Sequence, residues 1–99
     1  MTNTASAGGV PRWTIGDRMR KARLYAGMTP AEMAEDIGRT PHTIGNYENG
    51  KTKAPLLVLR QYAIRTGVPL EWIQYGTIDG HTPLSGTTVG ELYKILVAA

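Results

Sequence analysis

His42, Thr43 and Asn46 are the polar side chains in this 99-residue sequence with the clearest spacing for recognition. They stand at positions i, i+1 and i+4 of a predicted helix, and they point outward when Ile44 and Tyr47 face a core. An imidazole, a hydroxyl and a carboxamide can each donate and accept hydrogen bonds. The chemistry that they offer is therefore recognition of a polar surface.

Catalysis has little support among the residue types. The chain has no Cys, and its two histidines, His42 and His81, lie in different segments. It contains no Gly-rich phosphate loop, no HExxH pair and no nucleophile elbow. The acidic residues at positions 32–36 are better explained by a helix cap and a solvated helix face. We therefore expect a protein that is not an enzyme and that uses no metal and no cofactor.

Composition and charge indicate one small domain. Apolar residues make up 41% of the chain, and no run approaches the roughly 20 apolar residues of a membrane span. The first residues lack the basic start and apolar stretch of a secretion signal. We expect a cytoplasmic protein without a membrane partner.

The net charge of +3 falls entirely in residues 12–53. This asymmetry is as compatible with an ordinary solvated surface as with a polyanionic partner.

Start and stop signals divide residues 13–76 into five predicted helices, which makes the fold class all-α. Threonine caps or prolines mark the starts, because a threonine hydroxyl can accept from free backbone N–H groups and proline lacks that group. Glycines mark the ends, because glycine readily takes the left-handed conformation that terminates a helix. The predicted starts are Thr14, Thr29, Thr40, Pro55 and Pro69. The predicted ends are Gly27, Gly38, Gly50, Gly67 and Gly76.

Apolar residues recur at helical spacing in these segments and predict the core. Two tryptophans, Trp13 and Trp72, are also expected to be core residues. Along the five helices the predicted stripes are Ile15, Met19, Ala22 and Ala26, then Met33, Ala34 and Ile37, then Ile44 and Tyr47, then Leu56, Leu59, Ala63 and Ile64, and finally Leu70, Trp72 and Ile73.

Three further segments flank this block. Residues 1–12 are small, polar and Gly-rich, which predicts a disordered arm, and residues 77–87 have the composition of a linker. Residues 88–99 favour an additional C-terminal amphipathic helix, with a strand as the alternative. Its apolar stripe is Val89, Leu92, Tyr93 and Leu96. Three uses of that stripe remain open: packing on the domain, homodimerisation, or binding another protein.

Two short helices joined at Gly38 by a tight turn form the pattern of a helix-turn-helix motif. The stretch GMTPAEMAEDIGRTPHTIGNYENGKTKAP resembles the Cro/CI-type (XRE) family, in particular the DNA-binding domains of lambdoid-phage repressors and Cro proteins. The resemblance covers residues 14–76 and implies a compact five-helix, repressor-like domain that binds operator DNA as a symmetric homodimer. The residues in register are Ala34, Gly38, Ile44, Glu48 and Gly50.

The resemblance also implies roles for individual residues. The positions that read base edges are Pro41, His42, Thr43 and Asn46. The positions expected to contact DNA phosphates are Thr29, Arg39, Thr40, Asn49, Lys51, Thr52 and Lys53. Arg23 and Glu48 match a pair that forms a structural salt bridge between the first and third helices.

Three departures from the family pattern bear on specificity. Pro30 replaces a frequent Gln, Pro41 replaces a frequent polar base reader, and Arg39 replaces a small apolar residue. The operator sequence therefore cannot be inherited from a relative. We expect a sequence-specific transcription regulator of the phage repressor or Cro type that binds double-stranded DNA. The alternative is an antitoxin or anti-repressor that binds a protein partner through residues 88–99.

Overall fold

A computed structural model of the chain describes residues 13–77, which form five α-helices and no strand. The all-α, five-helix prediction is confirmed. The helices are α1 Ile15–Tyr25, α2 Pro30–Ile37, α3 Pro41–Glu48, α4 Leu56–Thr66 and α5 Leu70–Tyr75. The predicted arm at 1–12, almost all of the predicted linker and the predicted helix at 88–99 lie outside the described residues. No helix in residues 13–77 is long and apolar enough to cross a membrane.

Side-chain caps start the first three helices, as their sequences predict. Thr14 Oγ1 accepts from Asp17 N at 3.1 Å, and Asp17 Oδ2 accepts from Thr14 N at 2.9 Å. The same reciprocal pair joins Thr29 and Glu32, at 3.1 and 2.8 Å. Thr40 Oγ1 accepts from the backbone N–H of residue 43 at 3.1 Å. Each cap satisfies backbone donors that the first helical turn leaves unpaired.

Pro55 and Pro69 mark the starts of α4 and α5 as predicted, but they are N-cap residues and not the first residues of these helices. Pro55 and Pro69 have extended backbones, with ψ of 155° and 136°, and they cap helices that begin at Leu56 and Leu70. Their carbonyls still accept the first helical hydrogen bonds, from the N–H of Val58 at 2.9 Å and the N–H of residue 72 at 3.1 Å. A proline can serve as a cap in this way because the cap position needs its carbonyl and not its nitrogen.

The core takes apolar residues from every helix and from the segment between α4 and α5. Helices α1 and α4 each pack against three others: α1 contacts α3, α4 and α5, and α4 contacts α1, α2 and α5. Helix α2 also packs against α3. Trp72 is fully buried, and the half-buried Trp13 meets it edge to face with ring centroids 6.2 Å apart. The buried apolar residues are Met19, Ala22, Met33, Ala34, Ile37, Ile44, Tyr47, Val58, Leu59, Tyr62, Val68, Trp72 and Ile73.

The predicted apolar stripes are confirmed in α2 and α3 and are partly wrong in α1 and α4. Ile15 and Ala26 at the two ends of α1 are exposed. In α4, Leu56 is exposed and Ile64 is 81% exposed, while Ala63 is half-buried. The buried face of α4 instead consists of Val58, Leu59, Tyr62 and Thr66. Helix α4 carries apolar residues on all its sides, so the spacing of apolar residues alone does not predict which face is buried.

Gly16 allows α1 to approach the C-terminal end of α3. A Cβ atom at this position would lie 2.6 Å from the carbonyl oxygen of Tyr47 and 2.5 Å from that of Glu48. Both are backbone atoms of a helix, so they cannot move aside without shifting α3. Gly45, on the exposed side of α3, is the opposite case, because a Cβ there would meet no atom within 4 Å.

We expect Gly16→Ala to lower the free energy of unfolding by about 1–3 kcal/mol, the usual cost of overpacking. Gly45→Ala is the matched control. It should raise the free energy of unfolding by about 0.5–1 kcal/mol, because alanine favours the helix without a clash. Urea unfolding followed by circular dichroism measures both. An equal, small effect of the two substitutions would contradict the close approach of α1 to α3.

Candidate nucleic-acid interface

The turn between α2 and α3 holds the two helices at a defined angle. Gly38 caps α2 in the left-handed conformation, with φ 71° and ψ 36°, which glycine adopts at little steric cost. The N–H of Arg39 then donates to the carbonyl of Ala34 at 2.8 Å. Helices α2 and α3 pack against each other, and both Ala34 on α2 and Ile44 on α3 are buried. Residues 30–48 therefore form the helix-turn-helix arrangement that the sequence predicts.

Helix α3 turns one side to the core and the other to solvent. Ile44, Tyr47 and Glu48 are buried. The four residues predicted to read bases all lie on the accessible side, where two are exposed and two are half-buried. The exposed residues of this set are Pro41 and His42, and the half-buried ones are Thr43 and Asn46.

Hydrogen bonds connect some of these side chains to each other. Asn46 Nδ2 lies 3.3 Å from His42 Nε2, one helical turn away. Thr40 Oγ1 donates to Thr43 Oγ1 at 3.0 Å, so the Thr43 hydroxyl is tied to the helix cap. That bond leaves the hydroxyl proton and the methyl group of Thr43 for an external partner.

The loop after α3 continues the same polar surface. Its backbone is held by two hydrogen bonds, from Lys51 N to Asn49 Oδ1 at 2.9 Å and from Thr52 N to the carbonyl of Asn46 at 3.1 Å. Lys51 and Lys53 are exposed on this loop. Two cations on a fixed loop beside α3 suit contact with a polyanion.

Two of the three remaining residues predicted to contact phosphates, Thr29 and Thr40, use their polar groups within the protein. Thr29 uses its hydroxyl oxygen and its backbone N–H in the capping box with Glu32, whose carboxylate adds negative charge at the start of α2. The Thr40 hydroxyl is similarly engaged with Thr43. Arg39 is exposed in the turn, and its Nη1 lies 3.4 Å from the carbonyl of Gly38.

A buried network of three side chains fixes α3 to the body of the domain. Arg23 on α1 binds Glu48 through two bonds of 2.9 Å, from Nε to Oε2 and from Nη2 to Oε1. Arg23 Nη1 also donates to the carbonyl of Met28 at 2.8 Å. Only 6% of Arg23 and 8% of Glu48 are exposed. The salt bridge implied by the family resemblance is present.

Tyr62 on α4 is the third member of this network, and the sequence analysis missed its role. Its hydroxyl donates to Glu48 Oε2 at 2.6 Å, and the residue is fully buried. The sequence feature that could have indicated this role is the hydroxyl of a tyrosine within an apolar helix, since a buried tyrosine hydroxyl usually requires a hydrogen-bond partner. The hydrogen bond to Glu48 raises the pKa of Arg23. Burial, and then the hydrogen bond to Glu48, raises the pKa of the Tyr62 hydroxyl.

Several basic side chains serve the fold instead of the polar surface. Arg18 on α1 donates to the carbonyls of Trp13, Ile73 and Gln74 at 2.6–2.8 Å and so joins the start of the described chain to α5. Arg65 on α4 pairs with Asp36 on α2 at 2.5 Å, in an exposed position. Sequence charge alone therefore overstates the number of cations available to a partner.

Comparison with known families matches residues 19–73 to the family described as Helix-turn-helix. The match spans more than half of the chain and contains the whole α2–turn–α3 motif. The chain belongs to this family, in its Cro/CI (XRE) type, and the resemblance seen in the sequence is confirmed. Its general class is that of the DNA-binding transcription regulators.

Two ion pairs within residues 13–77, Arg23–Glu48 and Arg65–Asp36, differ in burial and should differ in contribution to stability. Arg23→Ala leaves the buried Glu48 carboxylate without its cation, which should cost about 3–5 kcal/mol. Arg65→Ala removes an exposed pair and should cost less than about 1 kcal/mol. The free energy of unfolding in urea measures both. Similar costs for the two variants would contradict a buried, charge-dependent anchor for α3.

Tyr62→Phe tests the third member of the network through its pH dependence. Removing a hydrogen bond to a charged group should cost about 1.5–3 kcal/mol at pH 7. Because the folded-state pKa of Tyr62 lies above its ordinary value of 10.0, its contribution is complete below pH 10 and falls as the pH rises further. The parent protein should therefore lose stability more steeply than Tyr62→Phe above pH 10, by up to about 1.4 kcal/mol per pH unit.

Urea unfolding at pH 7, 9, 10 and 11 provides this comparison. Tyr25→Phe, at the exposed end of α1, controls for the loss of a tyrosine hydroxyl at pH 7 and should change stability little. Parallel pH profiles of the parent and Tyr62→Phe would show that the hydroxyl is not held by Glu48.

Proposed function

We propose that this protein is a phage-type repressor or Cro-like regulator that binds a short palindromic operator as a homodimer in the cytoplasm, without a cofactor. The observation that carries the proposal is the two-sided helix α3. Its inner side is anchored by the buried network of Arg23, Glu48 and Tyr62, and its outer side presents polar groups beside two lysines. A rigid helix with such a face suits insertion into the major groove of DNA.

The base-reading role belongs to the accessible side of α3. The Asn46 carboxamide matches the N6 and N7 groups of adenine, and His42 matches the polar edge of a purine. The Thr43 methyl group matches the methyl group of thymine. Pro41 has no side-chain hydrogen bond to offer and contributes shape alone.

The phosphate-binding role falls mainly on the loop after α3. Lys51 and Lys53 supply charge, while Asn49 and Thr52 supply polar groups on a backbone already held in place. Thr29 precedes α2, and Arg39 and Thr40 lie in the turn before α3. These three residues complete the proposed contact to the DNA backbone. These contacts add affinity and fix the position of α3, but they carry little sequence information.

Dimerisation completes the proposal, since a palindromic operator mirrors the two-fold symmetry of its protein. The proposed chain organisation is an arm at 1–12, a DNA-binding domain at 13–76, a linker at 77–87 and a C-terminal segment at 88–99. The proposed dimer element is the apolar stripe of this C-terminal segment. The stripe consists of Val89, Leu92, Tyr93 and Leu96. Light scattering of the full chain and of a chain ending at Gly80 tests this role. Equal oligomeric states would contradict it.

Selection from a random duplex library at near-physiological salt tests the function as a whole. We expect an inverted repeat with half-sites about one helical turn, 10–10.5 base pairs, apart. A single asymmetric half-site would contradict homodimeric binding. An unenriched pool would contradict sequence-specific reading by α3 and would favour a protein-binding role, as in an antitoxin or anti-repressor.

Two substitutions separate base reading from phosphate binding. Asn46→Ala should weaken binding to the selected site by roughly 5- to 150-fold, since one bidentate base contact discriminates by about 1–3 kcal/mol. It should leave non-specific binding nearly unchanged. Lys51→Ala should weaken both kinds of binding and reduce the slope of log K against log salt by about 0.9.

Arg20→Ala is the control for loss of a cation, because Arg20 is exposed on α1, outside the proposed interface. It should leave the salt slope unchanged. Titrations by fluorescence anisotropy at several salt concentrations measure all three variants. The division of roles is wrong if Asn46→Ala and Lys51→Ala behave alike.

A further inference from the structure

We propose that His42 and Asn46 act as one adenine-reading unit, in which His42 orients the Asn46 carboxamide. The inference rests on the proposed DNA-binding function of α3 and adds to it the base that the helix prefers and the residue that enforces the preference. It starts from the contact of 3.3 Å between Asn46 Nδ2 and His42 Nε2 on the accessible side of α3.

The chemistry of the two groups assigns the direction of this hydrogen bond. A carboxamide nitrogen only donates, so Asn46 Nδ2 is the donor and His42 Nε2 is the acceptor. A neutral imidazole that accepts at Nε2 carries its proton on Nδ1. The contact therefore selects one of the two neutral forms of His42.

The same contact fixes the carboxamide of Asn46. The amide nitrogen has two protons, of which one goes to His42 and the other remains available. Together with Oδ1, that second proton makes the donor and acceptor pair that complements adenine, where N7 accepts and the N6 amino group donates. Guanine presents two acceptors at these positions and cannot satisfy Oδ1. A fixed carboxamide is therefore a selective reader of adenine.

The contact also narrows the role of His42 itself. With Nε2 occupied, the ring has only the Nδ1 proton to offer, so His42 can donate to DNA and cannot accept from it. Its partners would be acceptors such as a phosphate oxygen, a purine N7 or a guanine O6. Both side chains belong to α3, which the buried network of Arg23, Glu48 and Tyr62 holds in place.

The gain from this pair lies in binding and not in stability. A pair of side chains one helical turn apart on the surface stabilises a helix only slightly. Ordering a free side chain on binding is the larger cost. Loss of the His42 acceptor should therefore reduce the preference for adenine at the Asn46 position by about 3- to 10-fold, while thermal stability stays nearly unchanged.

A matched pair of variants tests the proposal on the selected operator. His42→Gln keeps an acceptor oxygen for Asn46, whereas His42→Leu has no acceptor. The base pair read by Asn46 is the one at which Asn46→Ala loses its preference. At that base pair the parent should prefer adenine, His42→Leu should lose most of the preference, and His42→Gln should retain more of it. The double variant His42→Leu with Asn46→Ala should discriminate no worse there than Asn46→Ala alone.

Two results would overturn the proposal while leaving the proposed function intact. One is a preference at the Asn46 base pair for a base other than adenine. The other is a full adenine preference in His42→Leu, with changes confined to a neighbouring base pair. An unenriched selection would overturn the proposed function and this inference together.

Nuclear magnetic resonance of the free protein provides a readout that does not depend on DNA. Long-range proton–nitrogen spectra distinguish the two neutral forms of an imidazole. We expect the neutral His42 ring to carry its proton on Nδ1 in the parent, and to shift toward the Nε2-protonated form in Asn46→Ala. A parent ring protonated on Nε2 would overturn the proposed direction of the hydrogen bond.

Discussion

The Glu48 carboxylate sits inside the domain, and this buried charge constrains the positions of three helices. It receives two hydrogen bonds from Arg23 on α1 and one from Tyr62 on α4. A buried carboxylate is costly unless it is paired and hydrogen-bonded, so rotation or displacement of α3 would strand a charge. An apolar core alone tolerates small sliding movements, whereas three directional bonds at 2.6–2.9 Å do not.

This constraint explains how a helix of eight residues can serve both the core and a partner. The cation and anion that hold α3 are sequestered, so they neither attract nor repel a polyanion at the surface. Gly16 brings α1 against the backbone at the end of α3, and Gly38 sets the angle at its start. The side chains on the accessible side are then carried on a helix whose two ends and inner side are held, which lowers the ordering cost of recognition.

Much of the local structure is determined by short stretches of sequence. Thr14, Thr29 and Thr40 cap their helices through contacts within three residues. These helix starts can therefore be predicted without any tertiary information. The inward faces of α2 and α3 follow for a similar reason, because each short helix has few large apolar residues and these all lie on one side. The Arg23–Glu48 pair could be predicted only from the family resemblance, because its members are 25 residues apart and no local sequence rule connects them.

Only the tertiary structure decided which side of α4 is buried, and with it the role of Tyr62. Leu56 and Ile64 fit a helical stripe as well as Val58 and Tyr62 do, because α4 carries apolar residues on all its sides. The inward side is the one that brings a hydroxyl to Glu48. The sequence by itself determined where helices begin and end, to within two residues, and which face of the helix-turn-helix motif remains accessible. The tertiary structure decided how those helices are locked together, because burial of a charge depends on groups that are distant along the chain.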